Sequence, residues 1–139
     1  MKRRTFVLLT VTGAVSMTVP FTGCGRGNAA LIAALARPDV LSRICDVAAI
    51  GQIGAAYRAQ TPSEARRDQL TELLLANLGL PMADKGKKQT VGIDETRLPK
   101  LLEEKIRDDY AGGRIVIIKG WVLSITEARQ SALYSLGLQ

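Results

Sequence analysis

Several carboxylates stand close enough together in this sequence to suggest acid–base chemistry: Glu103, Glu104, Asp108, Asp109 and Glu127. Two carboxylates can share the roles of proton donor and acceptor when their surroundings separate their pKa values. The first four fall in one helical segment, where solvation on a helix surface explains them. Glu127 follows Ser124 at the spacing of a helix capping box. We therefore expect no catalytic residue and a protein that is not an enzyme.

The chain contains no histidine and only two cysteines, Cys24 and Cys45. Histidine is the commonest general base and transition-metal ligand, and two thiols are too few for a Cys-rich zinc site or an iron–sulfur cluster. The sequence also lacks a glycine-rich phosphate loop and a serine-nucleophile elbow. We expect no metal and no other cofactor, and we place Cys45 on the apolar face of a helix.

Residues 1–23 have the layout of a secretory signal peptide, in which a basic start precedes an apolar run. The segment Arg3-Arg4-Thr5-Phe6-Val7-Leu8 resembles the bacterial twin-arginine export signal, and the resemblance implies that Arg3, Arg4 and Phe6 are recognised during export. The ordinary basic start of a general secretory signal is the alternative. Because the apolar run is rich in threonine, a cleaved signal fits better than a permanent membrane anchor.

The segment Phe21-Thr22-Gly23-Cys24 resembles the lipobox of bacterial lipoproteins, although leucine is usual where Phe21 stands. The resemblance implies that Cys24 is acylated, becomes the new N-terminus and holds the exported, periplasmic chain on a membrane. Gly25 after the cysteine, rather than aspartate, implies the outer membrane if the cell is Gram-negative. If Cys24 is not acylated, a disulfide with Cys45 is the alternative in an oxidising compartment.

The formal net charge of +6 arises from 19 basic and 13 acidic residues, and part of the basic excess lies in the signal. The remaining basic residues are dispersed and aromatic residues are few, so we expect no nucleic-acid binding. Lys85, Lys87 and Lys88 form the one dense basic cluster. It predicts a solvated loop, with contact to anionic lipid headgroups as the alternative.

The chain after the signal is short enough for one small domain. We assign residues 24–37 to a tether and first helical segment, and residues 38–139 to a single helical domain. Apolar periodicity predicts a helix from Pro38 to about Arg58. Gly51 and Gly54 lower helix propensity within it. Close approach of another backbone is the gain that would offset this cost, and local flexibility is the alternative.

Two segments with Glu three residues after Ser or Thr predict helix starts. Thr61-Pro62-Ser63-Glu64 begins a helix that ends at Gly79, and Ser124-Ile125-Thr126-Glu127 begins a last helix that ends at Gly137. Both segments continue with Ala-Arg and then leucines at helical spacing. Any amphipathic helix start converges on this pattern, and the neighbouring sequence does not repeat, so no duplicated domain is indicated.

The region between these segments supplies the only strand signal. A polar loop from Leu80 to Val91 precedes a helix that ends at about Tyr110. Asp94 is the candidate cap of this helix, and a start near Leu98 after a turn is the alternative because of Pro99. The β-branched run that follows predicts a hairpin turning at Lys119-Gly120. The predicted fold class is mainly α: a small bundle of about four helices with a short β-hairpin near the C-terminus. We expect Trp121 to be a core anchor, with contact to a partner protein as the alternative.

The segment from Gly120 to Arg129 resembles the tails of small bacterial proteins exported by the twin-arginine route, a likeness that assigns no activity. That route carries folded proteins, many of them cofactor enzymes with small associated subunits. The export resemblance therefore implies an accessory, non-catalytic small subunit of a periplasmic, membrane-associated oxidoreductase. Its partners would be a larger oxidoreductase subunit and the membrane, through the lipid on Cys24. A free-standing lipoprotein that binds envelope components or lipid is the alternative.

Overall fold

The computed structural model describes residues 26–80 and 94–137. Within them the fold is mainly helical, with an antiparallel two-stranded hairpin near the C-terminus, which confirms the predicted fold class. No helix in these two stretches is both long enough and apolar enough to cross a membrane. The predicted export signal, lipidation site and lysine cluster lie outside the described residues: Arg3, Arg4, Phe6, Cys24, Lys85, Lys87 and Lys88.

The helices are α1 (Arg26–Leu35), α2 (Val47–Gln60), α3 (Arg67–Asn77), α4 (Leu98–Ala111) and α5 (Ile125–Leu136). Short 3₁₀ turns at Leu41–Arg43 and Pro62–Glu64 precede α2 and α3. Strands β1 (Ile115–Ile118) and β2 (Trp121–Ser124) pair between α4 and α5.

Helix α5 lies at the centre of the domain and contacts the other four helices and both strands. Its closest neighbour is α2, because Gly54 faces the α5 backbone directly. A Cβ atom built at Gly54 would lie 1.9 Å from the carbonyl oxygen of Ser131. The small side chains of Ala128 and Ala132 on α5 are fully buried in the same core. The prediction that Gly54 permits close approach of another backbone is confirmed.

The end of α1 belongs to the same core. Leu35 is fully buried in it. The side-chain amide of Gln130 on α5 donates to the carbonyl oxygens of Leu35 at 2.8 Å and Arg37 at 3.0 Å, which satisfies acceptors at the C-terminal end of α1. Residues at the end of the segment that we assign to a tether therefore pack with the domain.

The predicted helix from Pro38 to Arg58 begins later than expected. Helix α2 starts at Val47, where the carboxylate of Asp46 accepts a hydrogen bond from the amide of Ala49 at 2.7 Å. Aspartate is among the best N-cap residues because it satisfies an amide with no partner inside the helix. The prediction that Cys45 lies on a helix face is therefore wrong, since it precedes the cap.

The capping box predicted at Thr61 does not form. The Thr61 side chain makes no capping hydrogen bond, and α3 begins only at Arg67. The physical reason is that the Glu64 carboxylate is bound by side chains from α2 and α5, as described below. The predicted end of α3 is confirmed: Gly79 adopts a φ of 68°, and the amide of Leu80 donates to the carbonyl of Leu75 at 3.0 Å.

The capping box predicted at Ser124 forms completely. The Ser124 hydroxyl accepts from the Glu127 amide at 3.0 Å, and the Glu127 carboxylate accepts from the Ser124 amide at 2.9 Å. The hairpin turn is also where the sequence predicts it. Lys119 and Gly120 have φ values of 50° and 84°, which match the type I′ turn that suits the twist of a two-residue hairpin.

Candidate functional site

Asp109 is the carboxylate whose position differs most from the sequence expectation. We predicted a solvated side chain, but Asp109 is 0% exposed. It follows Leu98, Leu102 and Ile106 on the inward face of α4, so its helical spacing from these buried residues was the available signal.

Both carboxylate oxygens of Asp109 are bonded. Oδ1 accepts from Nε of Arg114 at 2.9 Å, and Oδ2 accepts from the amide and hydroxyl of Thr126 at 3.1 and 2.5 Å. Burial alone would raise the pKa of Asp109. The hydrogen bonds from Thr126 and Arg114 outweigh it and hold the pKa below the ordinary value for aspartate. The carboxylate therefore stays ionised and ties α4 to the hairpin and α5.

Glu127 performs the predicted capping role and also binds a second partner. The hydroxyl of Tyr110 donates to its Oε2 atom at 2.7 Å. Burial and this hydrogen bond raise the pKa of Tyr110 to about 12, so the phenol stays protonated at neutral pH. The interaction connects the end of α4 to the start of α5 across the base of the hairpin.

Glu64 and Arg129 form an ion pair that the sequence did not predict. Nε and Nη2 of Arg129 donate to the two Glu64 oxygens at 2.8 and 3.0 Å, and the Tyr57 hydroxyl donates to Oε2 at 2.5 Å. The Arg129 hydrogen bond is the main reason why the pKa of Glu64 lies below its ordinary value. Burial and the contact with Glu64 raise the pKa of Tyr57 to about 12.

The carboxylates singled out by the sequence are thus not brought together into one site. Asp109 and Glu127 are held in separate bonds inside the fold, whereas Glu104 and Asp108 are exposed. Glu103 bonds Arg107 at 2.7 Å. Among residues 26–80 and 94–137, no group of three or more acidic or cysteine side chains could hold a metal ion. This arrangement supplies hydrogen bonds that tie the base of the hairpin to α4 and α5.

The outer face of the hairpin is apolar and open to solvent. Ile117 and Val122 are cross-strand partners with exposures of 65% and 53%, and Ile115 on the same face is 45% exposed. The opposite face carries Val116, Ile118 and Leu123 toward the helices. We call the surface formed by Ile115, Ile117 and Val122 the outer hairpin face.

The prediction that Trp121 is a core anchor is wrong. Its side chain is 37% exposed and lies outside the buried core, whereas Leu123 on the same strand is 1% exposed. Trp121 pairs with Ile118 in the last rung before the turn. Leu123 therefore takes the anchoring role that we expected of Trp121.

An apolar groove of about 860 Å³ lies beside α1 and the turn before α2. Its apolar lining includes Ile32, Ala36, Val47, Ile50 and Leu133. Cys45 also lines it, and burial followed by the nearby Asp46 charge raises the pKa of this thiol. Two arginines and two aspartates stand among the lining residues: Arg37, Arg67, Asp39 and Asp46.

The geometry thus offers two surfaces that could bind a ligand or partner, the outer hairpin face and the groove beside α1. No protein-family model, no curated protein and no solved structure matches this chain.

Proposed function

We propose that this protein is a non-catalytic accessory subunit that attaches to a larger exported protein through the outer hairpin face. The observation that carries the proposal is the exposure of Ile115, Ile117 and Val122 side by side on one sheet face. Single exposed apolar residues are common on proteins, but contiguous ones mark interaction surfaces. Covering such a surface stabilises a complex by about 25 cal/mol for each Å² of apolar area removed from water.

The base of the hairpin is held at both strands, which suits a docking element. Arg114, just before β1, bonds the buried Asp109, and the Ser124 amide in β2 bonds Glu127. A surface fixed before binding loses less conformational entropy when a partner covers it. The exposed side chains of Ile115 and Ile117 therefore lie on a hairpin whose base is already held in place before a partner binds.

The predicted export signal and lipidation site indicate the class of partner protein. The resemblance of residues 3–8 to a twin-arginine signal and of residues 21–24 to a lipobox supports a periplasmic, membrane-attached oxidoreductase as the larger subunit. The buried carboxylates Asp109 and Glu127 contribute bonds inside the fold, which fits a binding role better than acid–base catalysis. Trp121 lies on the opposite face of the hairpin, beside Ile118, and its exposed side chain is a separate candidate contact for the partner.

Affinity purification of the tagged full chain from native membranes tests the proposal. We expect one larger exported protein to co-purify in fixed ratio, and we expect Ile117→Asp with Val122→Asp to abolish its recovery. Ile44→Asp is the matched control, because Ile44 is an equally open apolar residue, 68% exposed, in the turn before α2. Unchanged recovery with the hairpin variant, at an unchanged melting temperature, would contradict the proposal.

The groove beside α1 favours the second candidate, a lipoprotein that binds envelope lipid. Its apolar lining suits an acyl chain, and Arg37 and Arg67 could meet an acidic headgroup. Asp39 and Asp46 offset these charges, so the groove carries less weight than the hairpin.

Titration with a fluorescent fatty acid separates the two candidates. Val47→Asp should weaken lipid binding, while an acidic residue at the first position of α2 keeps the helix start favourable. Failure of the fatty acid to bind the native chain would eliminate the lipid candidate.

A further inference from the structure

We infer that the outer edge of β1 accepts an extended segment of the partner protein, flanked by acidic residues, as a third strand. The inference rests on the proposed function, in which the hairpin is the docking element. It adds the backbone of β1 and the charges at its ends to the apolar contact already described.

The pairing register shows which backbone groups of β1 face outward. Ile118 and Trp121 flank the two-residue turn and therefore bond each other, and antiparallel pairs alternate between bonded and non-bonded positions. The amide of Ile125 donates to the carbonyl of Arg114 at 3.0 Å, which continues the same alternation. Ile115 and Ile117 occupy the non-bonded positions, so their N–H and C=O groups point away from β2.

The two edges of the hairpin differ. On β2, the Tyr110 hydroxyl, which donates its proton to Glu127, lies 3.4 Å from the carbonyl oxygen of Val122, and Glu127 accepts from the Ser124 amide, so side chains cover this edge. On β1, none of the residues 26–80 and 94–137 bonds the outward backbone groups of Ile115 or Ile117. An open edge of this kind is a template for strand addition.

The charges at the ends of β1 indicate which kind of strand would bind at its outer edge. Arg114 precedes the strand with a half-exposed side chain and shares the single negative charge of Asp109 with Lys105, whose Nζ lies 3.5 Å from Oδ1, so these three groups sum to one positive charge. The exposed Lys119 follows the strand. A second copy of this chain would set basic ends beside basic ends whether the two strands ran parallel or antiparallel. A strand with glutamate or aspartate at its ends meets both charges favourably, and every second side chain extends the outer hairpin face.

Synthetic peptides with alternating valine and threonine test this inference on the full chain. One peptide carries glutamate at both ends and its counterpart carries lysine. We expect the glutamate peptide to bind about tenfold more tightly, because two favourable surface charge pairs replace two unfavourable ones. Hydrogen exchange should show the amides of Ile115 and Ile117 protected in the complex, while the exchange of the Val122 amide stays unchanged.

Two substitutions at one position separate the backbone from the side chain. Ile117→Pro removes the outward N–H, which edge strands tolerate, whereas Ile117→Thr removes apolar surface but keeps the N–H. We expect the proline variant to lose all binding of the glutamate peptide and the threonine variant to retain most of it. A melting curve that matches the threonine variant shows that the proline variant is folded.

Three results would overturn the inference. The first is equal affinity for the two peptides. The second is that the amides of Ile115 and Ile117 gain no protection from hydrogen exchange at saturating peptide. The third is that these amides become protected without peptide, as the chain dimerises. The proposed function has a separate test. If Ile117→Asp with Val122→Asp abolishes co-purification while Ile117→Pro behaves like Ile117→Thr there, the partner docks on the apolar face without adding a strand. If neither affects co-purification, the proposed function fails as well.

Discussion

Glu64 and Arg129 form an ion pair with two hydrogen bonds, although they belong to two different segments that share one local sequence pattern. Glu64 is the glutamate of Thr61-Pro62-Ser63-Glu64-Ala65-Arg66, and Arg129 is the arginine of Ser124-Ile125-Thr126-Glu127-Ala128-Arg129. The segment that begins at Thr61 therefore contributes a tertiary contact instead of a helix cap. The segment that begins at Ser124 contributes a helix cap and a tertiary contact. The pair joins the loop before α3 to the central helix, with only 12% of the Arg129 side chain exposed.

Removing either partner of this pair should destabilise the domain. We expect Glu64→Ala and Arg129→Ala each to lower the free energy of unfolding by about 2–3 kcal/mol, because each leaves a mostly buried charge with fewer bonds. The double variant should lose less than the sum of the two, with a coupling energy of about 1–3 kcal/mol. Urea unfolding followed by circular dichroism measures all three values.

The control for this cycle is the arginine at the equivalent place in the segment that begins at Thr61. Arg66 is exposed and pairs with Asp68 at 3.2 Å, its one salt bridge within residues 26–80 and 94–137. Arg66→Ala should therefore change the stability by less than about 0.5 kcal/mol. Additive effects of the Glu64 and Arg129 substitutions would show that the two side chains do not interact in solution.

Gly54→Ala should destabilise the protein even though alanine is the better helix former. Propensity alone predicts a gain of about 1 kcal/mol, but the new Cβ would overlap the Ser131 carbonyl, and overpacking costs about 1–3 kcal/mol before further backbone shifts. Ala55→Gly, at the neighbouring exposed position of α2, should lose only about 1 kcal/mol. A thermal melt in which Gly54→Ala is more stable than the native chain would contradict the packing of α2 on α5.

Local sequence signals predicted much of the fold because they act within one turn or one helix. The glycine after α3, the capping box at Ser124 and the turn at Lys119-Gly120 each satisfy or shape the backbone beside them. These signals fixed the mainly helical class and the hairpin. They could not predict the Thr61 region, because the bond that disrupts its capping box comes from Arg129, far along the chain.

The central place of α5 was not predictable from its own residues. Its sequence is rich in polar side chains, and buried polar groups destabilise a fold unless they are hydrogen-bonded. Their partners include distant groups: Gln130 bonds the carbonyls of Leu35 and Arg37, and Ser135 accepts from Arg58 at 3.0 Å. The pattern of one helix cannot reveal such partners. The position of Asp109 was different, since its spacing from Leu102 and Ile106 already indicated burial.

Stability should fall in acid. The pKa values of Glu64 and Asp109 lie below their ordinary values of 4.5 and 3.8, so the ionised forms favour the folded state. Their contribution is present above the unfolded-state pKa values and is lost as the pH falls through the folded ones. We expect the melting temperature to change little from about pH 7 to 5 and to drop below about pH 4.

Amide variants test which carboxylates cause this loss. Asp109→Asn should be less stable than the native chain at pH 7 but should show a shallower decline in acid. Asp108→Asn is the matched control, because Asp108 is the exposed neighbour on α4 and its replacement should leave the acid decline in place. An equally steep decline in Asp109→Asn and the native chain would contradict a role for the buried carboxylate.

Trp121→Ala should destabilise the domain less than Leu123→Ala, despite removing a much larger side chain. Leu123 is 1% exposed and its truncation leaves a cavity in the core, which costs about 2–5 kcal/mol. Trp121 is 37% exposed, so we expect about 1–2 kcal/mol, well under the cost of truncating a buried tryptophan. Chemical denaturation of both variants measures the order, and a larger loss for Trp121→Ala would restore the core assignment. If the order is as expected, Trp121→Ala is also a folded variant suited to asking whether the tip of the hairpin touches the partner, because any loss of co-purification would then come from the surface and not from unfolding.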